Sequence, residues 1–481
     1  MEERVAKNWV GGAWVEGGPP VAVRSPADPS DLVGTYHEAT AELVAQAVAA
    51  ARDAQRGWRR LGAVARGQLL YQAAEAVARE VETLAALASR EMGKPLGEAR
   101  GEALRAVHIL RYYAGEGARA MGEVIPATQP QVFQYTRREP LGVVGVITPW
   151  NFPLAIPAWK IAPALVYGNT VVFKPAEWAS LTAAALVACL APLLPPGVLN
   201  LVMGPGRTVG DALVRAPAVD GVTFTGSVAT GAAVAAVSAG RGAKYQLEMG
   251  GKNPVIVLSD ANLDAAVELT VSGAFRSAGQ KCTATSRVIV ERSVYAAFRE
   301  RLVRRTEALK VGHPLEADTY LGPVVSEPQW RKVRHYIETG MAEAGAPVVG
   351  GLAVPGGLPG YYVAPTIFDR VAPTATIAQE EIFGPVVALM EAADVDEAIQ
   401  LANRTPFGLS ASVFTNNLSR ALHVVEELEA GLVRVNEETA GVELQAPFGG
   451  MKASSSHSRE QGRAAIEFFT TTKTVALRPV D

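Results

Sequence analysis

At 481 residues the chain is too long for one ordinary hydrophobic core, so two or three domains are expected. Its 49% hydrophobic and 19% charged residues suit a globular protein and exclude the disordered and fibrous classes. A net charge of −3 without basic runs leaves no electrostatic footprint for nucleic acid or an anionic membrane, and a small-molecule partner is expected.

The N-terminal stretch MEERVAKNWVGGAWVEGG is charged and broken by glycines where a signal peptide needs a continuous apolar run. From Thr40 to Gly122 apolar residues recur at helical spacing, as in ELVAQAVAAARDAQRGW, and long amphipathic helices are expected. QVFQYTRREP then alternates as an exposed ribbon does. After Pro140 the strand-like runs LGVVGVITP, NTVVFKP, VLNLVMG and GVTFTG alternate with helical ones, the pattern of a parallel sheet covered on both faces. The longest apolar run, Thr182 to Leu194, is too short to span a bilayer and contains Pro192. A second α/β set begins after Gly251, with NPVIVLS, SRVIVE, GPVVALME and GLSASVFT as strands and helices from about Asn262 and Val294. The tail TTTKTVALRPV alternates as a strand and needs a partner from elsewhere. Two cysteines make no disulfide framework, which fits a reducing compartment and a cytoplasmic location.

Several residues carry chemistry. Lys174 and Glu177 follow the strand NTVVFK, at the sheet edge where open α/β folds bind ligands; they read as a pair for ribose hydroxyls or as a solvated loop pair. The glycine loops GPGRTVG (204–210) and TGSVATG (225–231) each open a helix, so free N–H groups can face a pyrophosphate, although neither matches G-x-G-x-x-G. Asn151 lies between Trp150 and Phe152 at a strand end, placed to donate to a developing oxyanion or to satisfy turn backbone. Glu248 closes an apolar strand, where burial raises a carboxyl pKa toward the range of a general base; the alternative is pairing with Lys252. The six histidines are scattered and form no metal motif, so no metal is expected. A cysteine–histidine hydrolase stays open, because such partners meet in space rather than in sequence. Cys189 sits in the apolar ALVACLAPLL, whereas Cys282 sits among small polar residues in SAGQKCTATS, a setting that leaves a thiol reachable.

The ordered series TPWNFPLAIPAWKIAPAL, VVFKPAE, VTFTGS, LEMGGKNPVIV, GQKCTATSRV, EEIFGPV, NRTPFGLSA and PFGGMK closely resembles the NAD(P)-dependent aldehyde dehydrogenase superfamily over essentially the whole chain. The resemblance implies an α/β fold of two parallel-sheet domains and a small β ribbon. The dinucleotide-binding part would cover 1–121 and 141–249, the catalytic part 250–450, and an oligomerisation ribbon 122–140 and 463–481, in a homodimer or homotetramer. It implies Cys282 as the nucleophile, Asn151 and the Cys282 N–H as the oxyanion donors, Glu248 as the base for deacylation, and Lys160 with Glu460 as a proton relay. Lys174 and Glu177 match adenosine-ribose contacts, Gly226 and Ser227 the pyrophosphate turn, Glu381 and Phe383 the nicotinamide contacts, and Trp150 a wall beside the cofactor. Phe152, Ile156, Trp159, Lys281 and Thr283 would line a substrate tunnel. A carboxylate at Glu177 repels a 2′-phosphate, so NAD is expected to be preferred, with NADP tolerated through Lys174.

One departure stands in PFGGMKASSSHSREQG, with Ser455 where relatives have a glycine. This variant is similar to enzymes for 2-oxoglutarate semialdehyde (2,5-dioxopentanoate). An acidic semialdehyde is therefore the implied substrate, with hydroxyls of Ser454, Ser455 and Ser456 as candidate anchors. Two other readings are an acylating enzyme that hands the acyl group to coenzyme A, which Glu248 argues against, and a catalytically silent binding homologue, which would not need Cys282, Asn151 and Glu248 together.

Overall fold

The computed structural model describes residues 4–119 and 121–480. Five strands run parallel in the order Lys244–Glu248, Gly221–Thr225, Val143–Ile147, Thr170–Lys174 and Leu199–Leu201. Val143–Ile147, Thr170–Lys174 and Gly221–Thr225 are buried throughout, as continuous apolar runs between two helical layers must be. At the edge, an antiparallel hairpin of Asn8–Val10 and Ala13–Val15 completes a sheet of seven. The glycine-broken text of this hairpin gave no strand signal.

The Ala-rich region folds into the helices Ala41–Arg60, Ala63–Arg79, Val81–Met92 and Leu96–Glu116. Thr40 caps the first by accepting from Leu43 N at 3.2 Å. The apolar faces of the last three, with Trp58 of the first, join the helix Ala155–Val166 in one core with Leu110, Ile161 and Leu165, while Leu43, Val44 and Val48 of the first helix pack in a separate core with Val143 and Val172.

A second sheet holds six parallel strands in the order Thr366–Phe368, Val386–Ala392, Thr285–Glu291, Asn253–Val257, Ser410–Phe414 and Leu432–Val435. Helices Glu327–Ala344, Val395–Asn403 and Leu418–Glu427 accompany this half. They are charged, with a narrow apolar stripe, and did not stand out in the sequence. The tail finds its partner within the chain: Thr470–Leu477 runs antiparallel to Phe133–Pro140, whose other edge takes Val124–Ile125. Among the described residues no helix is long and apolar enough to cross a membrane.

Candidate active site

The parallel strands of the first sheet end at one edge, and three delivered segments surround a cavity of about 840 Å³. Thr170–Lys174 leads to Lys174 and Glu177, Val143–Ile147 leads to Trp150, and Gly221–Thr225 leads to Gly226 and Ser227; all of them line it. Both glycine loops meet there, since Gly206 and Gly210 lie in the same wall. Ser227 caps the helix Val228–Gly240 by accepting from Thr230 N at 3.3 Å. Burial pushes Lys174 down to about 8, with the adjacent Glu177 acting in the opposite direction.

A second cavity, about 180 Å³, adjoins this one and shares Trp150, Thr225, Gly226 and Ser227 with it. Its remaining walls include Asn151, Ile156, Gly250, Cys282, Glu381 and Phe383. Phe383 has a left-handed backbone with φ of 58°, held by Gln329 Nε2 donating to its carbonyl at 2.8 Å. Its ring stands edge-on to Trp150 with centroids 5.4 Å apart. Glu381 accepts from Gly251 N at 3.0 Å, yet burial raises its carboxyl above the ordinary range.

A third cavity, about 300 Å³, reaches Cys282 from the other side, with Phe152, Trp159, Thr283 and Phe448 in its wall. Cys282 thus stands where the second and third cavities meet. Its position is built by strain: Ser277, Ala278 and Gly279 are left-handed in succession, with φ of 55°, 52° and 68°. Glu98 holds that turn by accepting from Ser277 N at 3.1 Å and Ser277 Oγ at 2.6 Å. A side chain at Gly279 would strike the Gly384 carbonyl at 2.3 Å.

Asn151 is 2% exposed; its Nδ2 donates to Gln280 O at 2.9 Å, leaving its second amide hydrogen free, and its Oδ1 is buried without a partner. Burial, reinforced by the carboxylates of Glu381 and Glu248, pushes the Cys282 thiol up to about 12. The backbone N–H groups of Thr283 and Cys282 act the other way and favour the thiolate.

Glu248, Lys160 and Glu460 lie behind these cavities rather than in their walls. Lys160 and Glu460 form a buried ion pair, which Thr223 Oγ1 joins at 2.8 Å from Lys160 Nζ and Trp159 Nε1 joins at 2.8 Å from Glu460 Oε2. Burial, and then the charge of Glu460, raises the Glu248 carboxyl well above the ordinary range. The Ser455 hydroxyl donates to Glu248 Oε2 at 2.6 Å and opposes that rise.

Three placements differ from the tunnel and anchor expectations. Ile156 faces the second cavity, and Lys281 borders a small void of about 20 Å³ instead of the third. The serine hydroxyls face the strand Lys244–Glu248 and its surroundings: Ser454 Oγ accepts from Gly408 N at 3.0 Å, Ser456 Oγ accepts from Leu247 N at 2.8 Å, and Ser455 holds Glu248. The segment runs beside the strand because its backbone bonds to it, as Ser456 N does to Leu247 O at 2.9 Å. Residues unforeseen in the sequence also line the cavities, namely Gln329 and Lys332 in the second and Arg105, Phe448 and Gln461 in the third. Gln329, Lys332 and Arg105 carried no local motif, whereas Phe448 and Gln461 lie within PFGGMKASSSHSREQG without standing out there. Among the described residues no group of three His, Cys, Asp or Glu side chains is arranged to hold a metal ion.

The walls suit an extended dinucleotide. A Cβ at Gly226 would approach the Phe224 ring to 2.5 Å, and one at Gly250 would approach the Glu381 carboxylate to 2.4 Å, so backbone alone fits at both points. Thr225 Oγ1, which borders both cofactor-side cavities, is buried without a partner.

Residues 14–475 match the model of the aldehyde dehydrogenase family. The chain is 53% identical over 483 residues to the alpha-ketoglutaric semialdehyde dehydrogenase of Bacillus subtilis, covering 99% of each chain. It is 44% identical to the alpha-ketoglutarate semialdehyde dehydrogenase of Haloferax volcanii, over 98% of each. Among solved structures, the NAD-dependent aldehyde dehydrogenase of Sinorhizobium meliloti superposes with a TM-score of 0.96 at 36% identity, covering 100% of this chain and 96% of that one. The betaine aldehyde dehydrogenase of Staphylococcus aureus in complex with NAD+ gives 0.95 at 33% identity, covering 98% and 94%. With the strand-edge cavities and the cysteine between them, these likenesses establish that the chain belongs to the aldehyde dehydrogenase family, enzymes that oxidise aldehydes to acids with NAD(P).

Proposed function

We propose that this enzyme oxidises an acidic semialdehyde, 2-oxoglutarate semialdehyde (2,5-dioxopentanoate), with NAD preferred over NADP. The substrate assignment is supported by the 53% identical alpha-ketoglutaric semialdehyde dehydrogenase. The cofactor preference is supported by Glu177, whose carboxylate accepts from a 2′-hydroxyl and repels a 2′-phosphate.

The observation that carries the mechanism is Cys282 at the meeting of the two cavities. The Cys282 thiolate adds to the aldehyde carbon, and the carbonyl oxygen becomes the oxyanion of a thiohemiacetal. The free Asn151 amide hydrogen and the Cys282 N–H stabilise that oxyanion. Lys174, Glu177, Gly226, Ser227, Glu381 and Phe383 would hold the cofactor, which when bound supplies the hydride acceptor. A thioester then remains on Cys282. Glu248 takes a proton from the water that attacks the thioester carbon, and collapse of the tetrahedral adduct breaks the C–S bond, releasing the acid and regenerating the Cys282 thiolate. Lys160 and Glu460, within electrostatic reach of Glu248, carry its proton onward.

Replacing Glu248 by Gln tests the sequence of steps. The variant is expected to release one equivalent of NADH and retain a covalent acyl group on Cys282, detectable by mass, whereas Cys282→Ala gives neither. Wild-type turnover in Glu248→Gln would remove Glu248 from deacylation.

In the same reading 1–121 with 141–249 form the dinucleotide-binding part, 250–450 the catalytic part, and 122–140 with 463–481 a ribbon that joins subunits into a homodimer or homotetramer. The seven-stranded and six-stranded sheets support the first two assignments, and the paired ribbon strands support the third.

A further inference from the structure

The third cavity has aromatic walls near Cys282 and two polar side chains that no other part of the mechanism uses, Arg105 and Gln461. Arg105, on the helix Leu96–Glu116, is half-buried and donates one of its five N–H groups to Val442 O. Its charge is balanced only at a distance, by Glu443, without a hydrogen bond between them. The carboxylates in the same wall are already engaged. Glu102 pairs with Lys94 and accepts from Leu154 N at 2.7 Å and Ala155 N at 3.0 Å, while Glu98 is held by Ser277.

Gln461 is 2% exposed, its backbone is left-handed with φ of 58°, and its Oε1 is buried without a partner. A buried amide without a partner in a ligand cavity is a site for a polar group from outside. Rotation of the amide presents either its oxygen or its N–H₂. The hydroxyls of Ser454, Ser455 and Ser456, the other candidates for an anionic substrate, are bonded elsewhere.

We propose that Arg105 and Gln461 form the distal anchor for a 2-oxo acid, the guanidinium taking the carboxylate and the Gln461 amide donating to the 2-oxo oxygen. The inference rests on the acidic-semialdehyde reading above. Cys282 for the aldehyde carbon and Arg105 for the carboxylate both line this one cavity, together with Phe152, Trp159 and Phe448 for the chain between them. A planar guanidinium suits bidentate recognition of a carboxylate, and a site built to hydrogen-bond an oxo group discriminates against an analogue that lacks it.

The test compares kcat/KM for 2,5-dioxopentanoate, 5-oxopentanoate and pentanal in wild type, Arg105→Gln and Gln461→Asn. NADH binding, followed by fluorescence, establishes that each variant is folded. Loss of a charge-assisted hydrogen bond predicts that Arg105→Gln lowers the ratio of acidic substrate to pentanal roughly 10- to 100-fold. Asn tolerates the left-handed backbone, and Gln461→Asn should lower the ratio of 2,5-dioxopentanoate to 5-oxopentanoate about 3- to 10-fold. Equal losses on all three substrates, or unchanged ratios, would overturn the anchor while leaving the substrate assignment standing. A wild-type enzyme with no preference for 2,5-dioxopentanoate over pentanal would overturn both.

Discussion

Glu248 ends its strand with a buried carboxyl whose Oε1 has no partner and whose Oε2 receives the Ser455 hydroxyl. That hydroxyl is oriented in turn, because Ser455 Oγ accepts from Gly450 N at 2.6 Å and so points its proton at Glu248. A hydrogen bond to the charged form favours ionisation, whereas burial and Glu460 oppose it. Ser455→Gly removes the favourable contact and should raise the Glu248 pKa further. In its proposed role as base Glu248 must be deprotonated to act, so the acidic limb of the kcat–pH profile is expected to move to higher pH, by about one unit for a bond of this kind. An acidic limb that stays in place, measured under conditions where deacylation limits turnover, would detach Ser455 from the base. The placement of Cys282 and Asn151 in a cavity wall, and of Glu248 as a buried carboxyl closing a strand, was legible because short motifs carry them. The function of Ser455 was not: the text shows a missing glycine, and only the fold shows which carboxylate the new hydroxyl reaches.

At the scale of the element, the helix Leu96–Glu116 serves the site from one face. Glu98, Glu102 and Arg105 recur at spacings of four and three, so they line up on the side turned to the third cavity. Glu98 braces the strained turn before Cys282, and Glu102 bonds to Leu154 N and Ala155 N at the start of the helix that follows Asn151. The sequence made this helix visible as amphipathic, but a polar stripe reads equally as a solvated face, and only packing against Ala155–Val166 reverses that meaning. The Lys94–Glu102 pair has side chains 1% and 2% exposed. Glu102→Ala leaves Lys94 charged and buried without a counterion and frees two backbone donors; it is expected to destabilise the protein by roughly 3–5 kcal/mol. Urea unfolding measures this, and the double variant Lys94→Met/Glu102→Leu should recover much of the loss, since an apolar pair removes the uncompensated charge.

At the scale of the whole molecule, the ordering of strands and helices made two parallel sheets legible, because buried parallel strands read as unbroken apolar runs. The N-terminal hairpin was illegible for the opposite reason: strands of three residues on a sheet edge have no period to detect, and Trp9 and Trp14 meet only after the turn closes, with ring centroids 5.0 Å apart. The ribbon lies between these cases. Thr470–Leu477 pairs along its length with Phe133–Pro140, yet most of its residues are exposed, as are Phe133 and Val124 on the neighbouring strands. A long strand with one unpaired edge invites pairing with another chain, and proteins that keep such an edge generally cover it. A homo-oligomer joined through this ribbon does so, and light scattering should then give at least twice the 50.6 kDa chain mass. Truncation after Thr470 leaves the buried Phe468 and Phe469 in the core and removes the edge strand. The truncated protein is expected to fall to monomer mass while still binding NADH, because the cofactor cavities draw no wall from residues beyond 470. Retention of the wild-type mass after truncation would move the subunit contact to another face.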